Sequence, residues 1–402
     1  MEEFHTLRSL TLDGRLILLS RGVRLFAFGA LSVILVLHFA AQGWSETQIG
    51  RLLALTMFGD AAVTLWVTLH ADRLGRARML GLGAALLVLA GLVLPATGNV
   101  WLIAPVAFFG AISIGGGEAG PFMAIEQAAL THSLLDPSQR TTAIAWYTLC
   151  GSLAAALGAL TSGLLGSYRA VFALYAACGV VLWVLSRSLS PAIEPRENES
   201  LAPRFGLHES RPIVLRLSAL FMLDTFGSGL VVQSFMAYWL HRRFGIGVAS
   251  IGSIFFGMNF LAAFSAMAAG RLASRIGLIN TMVWTHIPAS LLLMALPLMP
   301  SLPWAIATLL LRACLSQMDV PARQSYLMAV VTPGERSAAG GVTGLARSLA
   351  SAISPPITGA LFAAGWLSAP FVAGGALKIV YDLALWRSFR SVKPPEESSH
   401  GV

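Results

Sequence analysis

Apolar residues recur along this chain in runs of about twenty, which is the helical length that crosses a hydrocarbon core of about 30 Å. Short polar or charged segments separate the runs from one end of the chain to the other. We therefore predict an all-α membrane protein with twelve transmembrane helices. The predicted spans are residues 16–40, 49–70, 79–97, 101–124, 141–166, 170–187, 213–240, 250–270, 280–299, 304–330, 338–364 and 369–387.

One polar stretch, residues 188–212, divides these spans into two sets of six. It carries Pro191, Pro195, Pro203 and Pro212 among charged residues, a composition typical of a water-exposed, loosely ordered linker. The predicted organisation is an N-terminal six-helix bundle over 1–187, a cytoplasmic linker over 188–212, a C-terminal six-helix bundle over 213–391 and a polar tail over 392–402.

Basic residues indicate the orientation of the spans, because translocating basic loops is disfavoured. With the chain threaded through twelve spans, most arginines fall on the side of the two termini. Only Arg51, Arg169, Arg242 and Arg243 fall on the other. We expect a multi-pass protein of the bacterial inner (plasma) membrane with both termini in the cytoplasm.

Composition narrows the class of protein further. Charged residues make up 11% of the chain and its mean hydropathy is +0.73, whereas soluble domains carry charge on about 25% of residues. The +8 net charge lies in short loops rather than in one basic patch, so we expect no nucleic-acid partner. Cys150, Cys178 and Cys314 lie in separate apolar runs, which predicts neither a disulfide framework nor a metal site.

The two halves of the chain repeat one another. Ile49-Gly50 matches Ile251-Gly252, and Arg73 and Gly75 match Arg275 and Gly277, all at an offset of 202 residues. Later in each half, Gly163 matches Gly359 at an offset of 196. Parallel repeats related by an axis along the membrane normal are one architecture of secondary transporters.

The loop after the second span reads Asp72-Arg73-Leu74-Gly75-Arg76, and the second half repeats part of it around Arg275 and Gly277. This motif, at this position, resembles the signature of the major facilitator superfamily, in particular its twelve-helix drug:proton antiporters. The resemblance implies two pseudo-symmetric six-helix bundles and alternating access. It also implies a conformational latch on the cytoplasmic side, formed by Asp72, Arg73, Gly75, Arg76, Arg275 and Gly277. The alternative is a helix-end charge cluster that only fixes topology.

Several acidic residues fall inside predicted spans, where an ionised side chain costs about 2.5 to 3.5 kcal/mol at the bilayer centre and usually serves a function. A desolvated carboxyl can bind and release a proton. The candidates for proton coupling are Asp60, Glu118, Asp224 and Asp319.

The tenth span carries Arg312, Ser316, Asp319 and Arg323, spaced so that a continuous helix would place all four on one face. We interpret them, with Arg347, as candidates for a substrate cavity. The alternative is an internal salt-bridge ladder.

Two further pairs of charged residues have simpler interpretations. Lys378 and Asp382 are expected to pair with each other at the periphery, because they lie four residues apart on one helix. Arg21 and Arg24 are expected to extend to the membrane surface.

The leading hypothesis is a secondary active transporter of a small organic solute that uses protons, with efflux favoured. Its partners would be the solute, protons and the lipid bilayer, and we expect a monomer without cofactor or metal. Uptake or exchange of an organic anion is the alternative, and a transport-inactive receptor or scaffold is the alternative from another class. No catalytic or nucleotide-binding motif suggests an enzyme.

Overall fold

A computed structural model describes residues 10–110, 112–117, 122–132, 140–194, 207–390 and 392. These residues form α-helices joined by short turns, which we number in chain order. The helices are α1 Leu12–Ala41, α2 Glu46–Leu74, α3 Arg76–Val93, α4 Val100–Phe109, α5 Phe122–His132, α6 Arg140–Leu165, α7 Tyr168–Arg187, α8 Arg211–Gly229, α9 Gln233–Phe244, α10 Val248–Ile276, α11 Leu278–Ala295, α12 Leu302–Ala313, α13 Asp319–Val330, α14 Arg336–Ala363 and α15 Ala369–Phe389.

Each of the twelve predicted spans carries helix, so the prediction of an all-α membrane protein is confirmed. Within the described residues, nine helical segments are long and apolar enough to cross a membrane. Large apolar side chains also remain exposed on the surface, such as Leu164 and Leu298 at 78% each. A soluble fold would bury such side chains, whereas lipid accepts them.

Three predicted spans are interrupted rather than continuous. The fourth contains most of α4 and the start of α5, the seventh most of α8 and α9, and the tenth most of α12 and all of α13. In the tenth, helix α13 starts only two residues before Pro321. A proline is tolerated in the first turn of a helix because no intrahelical donor is needed there, but not in its interior. The expectation of one continuous tenth helix was therefore wrong.

The chain divides into two compact units. Unit 1 contains Met1–Trp44, Leu55–Ser200 and Gln233–Phe256, and unit 2 contains Ser45–Ala54, Leu201–Val232 and Gly257–Val402. In unit 1, α1 packs against α6 and α7, and α3 packs against α7. In unit 2, α8 packs against α14 and α15, and α11 packs against α13 and α15.

Small residues let helices approach closely at matching places in the two units. In unit 1, a Cβ added to Gly252 would lie 2.5 Å from the carbonyl oxygen of Ala159 and 3.1 Å from the Cα of Gly163. In unit 2, a Cβ added to Gly359 would lie 2.3 Å from the carbonyl oxygen of Glu46 and 3.1 Å from the Cα of Gly50. The glycines that match in the sequence repeat therefore make the same kind of helix crossing.

The first residues of the predicted linker are ordered against unit 1. Residues Pro191–Ile193 form a 3₁₀ turn, and the Ile193 side chain is buried at 1% exposure. Both carboxylate oxygens of Glu194 accept hydrogen bonds from the backbone at the start of α3, at 2.6 Å from Arg76 N and 3.1 Å from Ala77 N. A carboxylate is favourable at this place because the first amides of a helix have no partner within it.

Candidate functional site

Unit 2 contains a buried network of charged side chains centred on Asp224 of α8. Arg323 of α13 donates to Asp224 Oδ2 at 2.8 Å, and Lys378 of α15 donates to Asp224 Oδ1 at 2.8 Å. Asp319, at the start of α13, lies 3.5 Å from Arg323 Nη1. Four helices meet in this network, which we call the unit 2 charge cluster. Its members are Asp224, His286, Asp319, Arg323, Lys378 and Asp382.

The cluster continues through His286 of α11. Its Nδ1 lies 3.0 and 3.1 Å from the two carboxylate oxygens of Asp382, and its Nε2 lies 3.2 Å from Lys378 Nζ. Tyr381 packs edge-on against the imidazole, with the ring centroids 6.1 Å apart. All six members of the cluster are buried, and Asp382 is 0% exposed.

The predicted site residues fall into two groups in unit 2. Asp224, Asp319 and Arg323 come together in the charge cluster, and Arg347 lies next to it because its Nε donates to Thr225 Oγ1 at 3.2 Å. Arg312 and Ser316 are separated from Asp319 by the interruption between α12 and α13. The four predicted positions of the tenth span therefore do not share one helical face.

The expected pairing of Lys378 with Asp382 was wrong. Both lie on α15 and both are buried, but Lys378 binds Asp224 on α8 and Asp382 binds His286 on α11. Helical spacing allows the i, i+4 contact, but partners on neighbouring helices offer the two side chains shorter contacts.

Unit 1 contains a second buried network, formed by Arg21, Arg24, Glu126 and Tyr147. Glu126 Oε2 accepts hydrogen bonds from Arg24 Nη2 and from the Tyr147 hydroxyl, both at 2.6 Å. Arg21 stacks on the Tyr147 ring, with its guanidinium carbon 4.3 Å from the centroid. Arg24 is 0% and Arg21 6% exposed, so the expectation that these arginines extend to the membrane surface was wrong. Glu126 supplies the counter-charge that holds them inside.

Glu126 was not among the predicted site residues, although the repeat contains a signal for it. Glu126 and Arg323 each occupy the fifth position of the helix that follows the interruption in their half. Arg24 and Asp224 lie 200 residues apart in the first helix of each half, which is close to the repeat offsets. A buried ion pair thus joins the first helix of each half to the helix that follows the interruption. The arginine lies on the first helix in unit 1 and on the later helix in unit 2.

The remaining predicted residues are more scattered. Asp60 is partly exposed on α2, whereas Glu118 lies outside the described residues. Among the latch residues, Gly75 and Gly277 hold equivalent places before α3 and α11, with φ of 96° and 86° that favour glycine. Arg76 is buried and donates to the Ile193 carbonyl at 3.0 Å, and Arg275 is exposed. The side chains of Asp72 and Arg73 also lie outside the description.

No group of three or more His, Cys, Asp or Glu side chains placed to hold a metal ion was found in the described part of the chain. In the unit 2 charge cluster, cationic side chains contact two of the three carboxylates, Asp224 and Asp319. That arrangement suits the movement of protons and the binding of charged groups more than metal coordination.

Comparison with known proteins agrees with this architecture. The sequence profile of the Major Facilitator Superfamily matches residues 17–316 and 217–401. The uncharacterized membrane protein YJR124C of Saccharomyces cerevisiae is 29% identical over 424 residues, covering 94% of each chain.

Solved structures show the same fold at low identity. The nucleoside transporter NupG superposes with a TM-score of 0.71 at 15% identity, covering 94% of this chain and 100% of its own. A bacterial homologue of the human lysosomal transporter Spinster gives 0.74 at 17% identity, covering 94% and 96%. The human organic anion transporter MFSD10 gives 0.66 at 17% identity, covering 93% and 98%. The chain therefore belongs to the major facilitator superfamily of membrane transporters.

Proposed function

We propose that this chain is a secondary active transporter that exports a small organic solute by alternating access and couples export to protons. The observation that carries this proposal is the unit 2 charge cluster. Three carboxylates, one histidine, one arginine and one lysine are buried inside a membrane-spanning unit, where charges are expensive and mark proton or substrate pathways.

The position of the cluster suits coupling. Asp224 and Arg323 join α8 to α13, and Asp319 begins α13 immediately after the interrupted part of the tenth span. Interrupted helices at matching places in the two halves are typical of substrate sites in transporters. A change in charge at Asp319 or Asp224 would therefore act directly on a helix end beside a candidate solute site.

The test is transport by the full chain reconstituted in liposomes, with lipophilic cations, organic anions and neutral drugs, each with and without an imposed pH gradient. We expect at least one compound to move faster when the gradient is present. Asp319→Asn should abolish this gradient-driven flux while leaving folding intact, and Asp13→Asn, a carboxylate bonded to Ser190 in unit 1, should not. Transport of every compound at the same rate without a gradient would exclude proton coupling.

A second candidate function, uptake or exchange of an organic anion, is favoured by Arg312. Arg312 takes part in no ion pair among the described residues, and its Nε is buried there without a hydrogen-bond partner. A partly buried guanidinium without a carboxylate partner among the described residues suits an anionic ligand. MFSD10, which shares the fold, is an organic anion transporter.

The solute panel separates the two candidates. If the cargo is an anion, Arg312→Gln should abolish flux of the organic anions, and Arg216→Gln, which removes an exposed arginine of α8, should leave it unchanged. Preferential movement of lipophilic cations, unaffected by Arg312→Gln, would contradict the anion proposal.

The latch and the organisation of the chain complete the proposal. We propose that Asp72, Arg73, Gly75 and Arg76, with Arg275 and Gly277, stabilise one conformation on the cytoplasmic side. We also propose that six spans, the linker 188–212 and six further spans lie in a bacterial plasma membrane. The distribution of basic residues supports cytoplasmic termini. We also propose that the transporter acts as a monomer.

A further inference from the structure

The hydrogen-bond pattern around His286 fixes which nitrogen carries the proton. Lys378 Nζ, 3.2 Å from His286 Nε2, can only donate. Nε2 must therefore accept, and Nδ1 carries the hydrogen that His286 donates to Asp382 at 3.0 Å. In this arrangement the imidazole is neutral, and both of its nitrogens are occupied.

The contacts run from Asp382 through His286 and Lys378 to Asp224. The two carboxylates at the ends differ in the cations that contact them. Asp224 contacts two cations, Lys378 and Arg323, at 2.8 Å each. Asp382 is 0% exposed, and His286 is its ion-pairing partner among the described residues. Adding a proton to Asp224 would leave two buried cations without their counter-ion. Adding a proton beside Asp382 would give a buried carboxylate the positive partner that it lacks.

From this geometry we propose that His286 and Asp382 form the proton-binding element of the transporter, which we call the His286–Asp382 dyad. One proton from water forms a new N–H bond at His286 Nε2, and the dyad changes from neutral imidazole and carboxylate to imidazolium and carboxylate. The inference rests on the proposed coupling to protons, and it assigns to the dyad a role that the sequence interpretation gave to Asp224.

Proton binding at Nε2 has a consequence for the rest of the cluster. A protonated Nε2 donates, so it can no longer accept from Lys378. The carboxylate oxygen nearest to it is Asp224 Oδ1, at 3.8 Å, the same oxygen that Lys378 occupies. His286 therefore competes with Lys378 for Asp224. Binding of a proton on α11 thus changes the ion pair between Lys378 and Asp224, which joins α15 to α8.

The charged and titratable groups around the dyad come from each helix packed near it. They are Asp224 on α8, Asp319 and Arg323 on α13, Arg347 on α14, and Lys378 and Tyr381 on α15. A proton on Asp224 would weaken its ion pairs with both Lys378 and Arg323, whereas a proton on the dyad changes the contacts of Lys378 alone.

The test measures proton binding directly, without a transported solute. The full-length protein in liposomes is brought from about pH 8 to about pH 5, the range in which histidine changes charge. Infrared difference spectra of protein with isotope-labelled histidine report the formation of imidazolium. The wild-type signal contains the contributions of all labelled histidines. We expect the signal of His286→Gln to be smaller by one histidine, and this one-histidine contribution to be lost or moved to lower pH in Asp382→Asn.

The matched control is His38→Gln. His38 is as buried as His286, at 6% against 5% exposure, but its Nε2 lies near Gln42 and the Leu94 carbonyl instead of a carboxylate. This variant should keep the one-histidine contribution that is lost in His286→Gln. An unchanged signal in His286→Gln, or a protonated-carboxyl band that Asp224→Asn removes, would overturn the proposal. If His286→Gln does not fold, the comparison of the labelled wild type with labelled Asp382→Asn decides the question. The proposal then requires that the one-histidine contribution is lost or moves to lower pH in Asp382→Asn.

Flux measurements keep this inference separate from the proposed function. If the wild type shows no gradient-driven flux for any compound but the dyad binds a proton, the proposed coupling fails and the dyad stands. If gradient-driven flux and the infrared signal both persist in His286→Gln, the dyad fails and the coupling stands. If the proposed coupling and the dyad are both correct, His286→Gln should lose gradient-driven flux. The same variant should still exchange solute when the pH is equal on the two sides.

Discussion

At the scale of single residues, buried charges are held by specific partners. Arg24 is 0% exposed, and its Nη2 lies 2.6 Å from Glu126 Oε2. Removing one member of such a pair leaves a buried charge uncompensated, which costs about 3–5 kcal/mol, whereas replacing both members by apolar residues is often neutral. We expect Glu126→Gln to lower the thermal stability of the purified protein strongly, and the double variant Arg24→Met/Glu126→Leu to lower it less.

Thermal unfolding in detergent measures this difference, with Glu126→Leu, Arg24→Met and the double variant of these two forming a double-mutant cycle. Additive effects of the two single substitutions would contradict the ion pair. The same cycle applied to Asp224 and Arg323 tests whether the pair with exchanged signs contributes similarly in unit 2.

Glu335 gives a prediction about pH. Its carboxylate accepts hydrogen bonds from the backbone amides of His208, Ser210 and Glu209, just before α8. These bonds, led by the one from His208, lower the pKa of Glu335 from 4.5 to about 2. Because the pKa is lowered on folding, the stabilisation is complete above about pH 4.5 and disappears as the pH falls toward 2.

We therefore expect Glu335→Gln to be less stable than the wild type at pH 6, with the difference shrinking as the pH falls below 4.5. Thermal unfolding at a series of pH values checks this. Glu209→Gln, which alters an exposed neighbour, is the control and should show no such dependence. A difference that stays constant from pH 6 to pH 3 would exclude a role for the ionised carboxylate.

The sequence identified single charged residues better than their partners. Asp224, Asp319 and Arg323 were recognisable as candidates because ionised groups are rare inside spans. Their contacts with His286 and Lys378 join four helices that are far apart in sequence, and no local spacing encodes such pairings. Glu126 was recognisable only once the interruptions between α4 and α5 and between α12 and α13 set the register of the repeat.

At the scale of helices, the glycine crossings give a direct test. A Cβ at Gly359 would lie 2.3 Å from the Glu46 carbonyl oxygen, whereas a Cβ at Gly344, on the same helix α14, meets nothing within 4 Å. Overpacking costs about 1–3 kcal/mol. We expect Gly359→Ala to reduce stability by this amount and Gly344→Ala to leave stability unchanged or improve it, as measured by thermal unfolding. Equal stability of the two variants would contradict the close crossing.

The helices themselves were predictable, because apolar runs of the right length have few alternatives in a bilayer. Their interruptions were less so. The sequence places Pro321 within the tenth span but does not show whether the helix bends there or stops before it. In the structure α12 ends at Ala313 and α13 starts at Asp319, because Pro321 is compatible with a first turn.

At the scale of the whole molecule, the threading of the spans places tryptophans together on one side of the membrane. Trp101, Trp304 and Trp366 each follow an odd number of spans and are 86%, 63% and 65% exposed. Tryptophan concentrates at membrane interfaces, so we expect these residues to mark the surface opposite the termini. Arginine is scarce on the side that these tryptophans mark. If the termini are cytoplasmic, this side is the exterior.

This orientation predicts the labelling of single cysteines introduced after Cys150, Cys178 and Cys314 are replaced. Glu209 and Ser301 are both exposed, and the chain crosses the membrane three times between them. On intact cells, an impermeant maleimide should label Ser301→Cys and not Glu209→Cys, and permeabilised cells should label both. The reverse pattern would invert the molecule and place the Glu335 cap, bonded to the backbone of Glu209, on the exterior. The proton path to the His286–Asp382 dyad would then have to be assigned in the opposite direction.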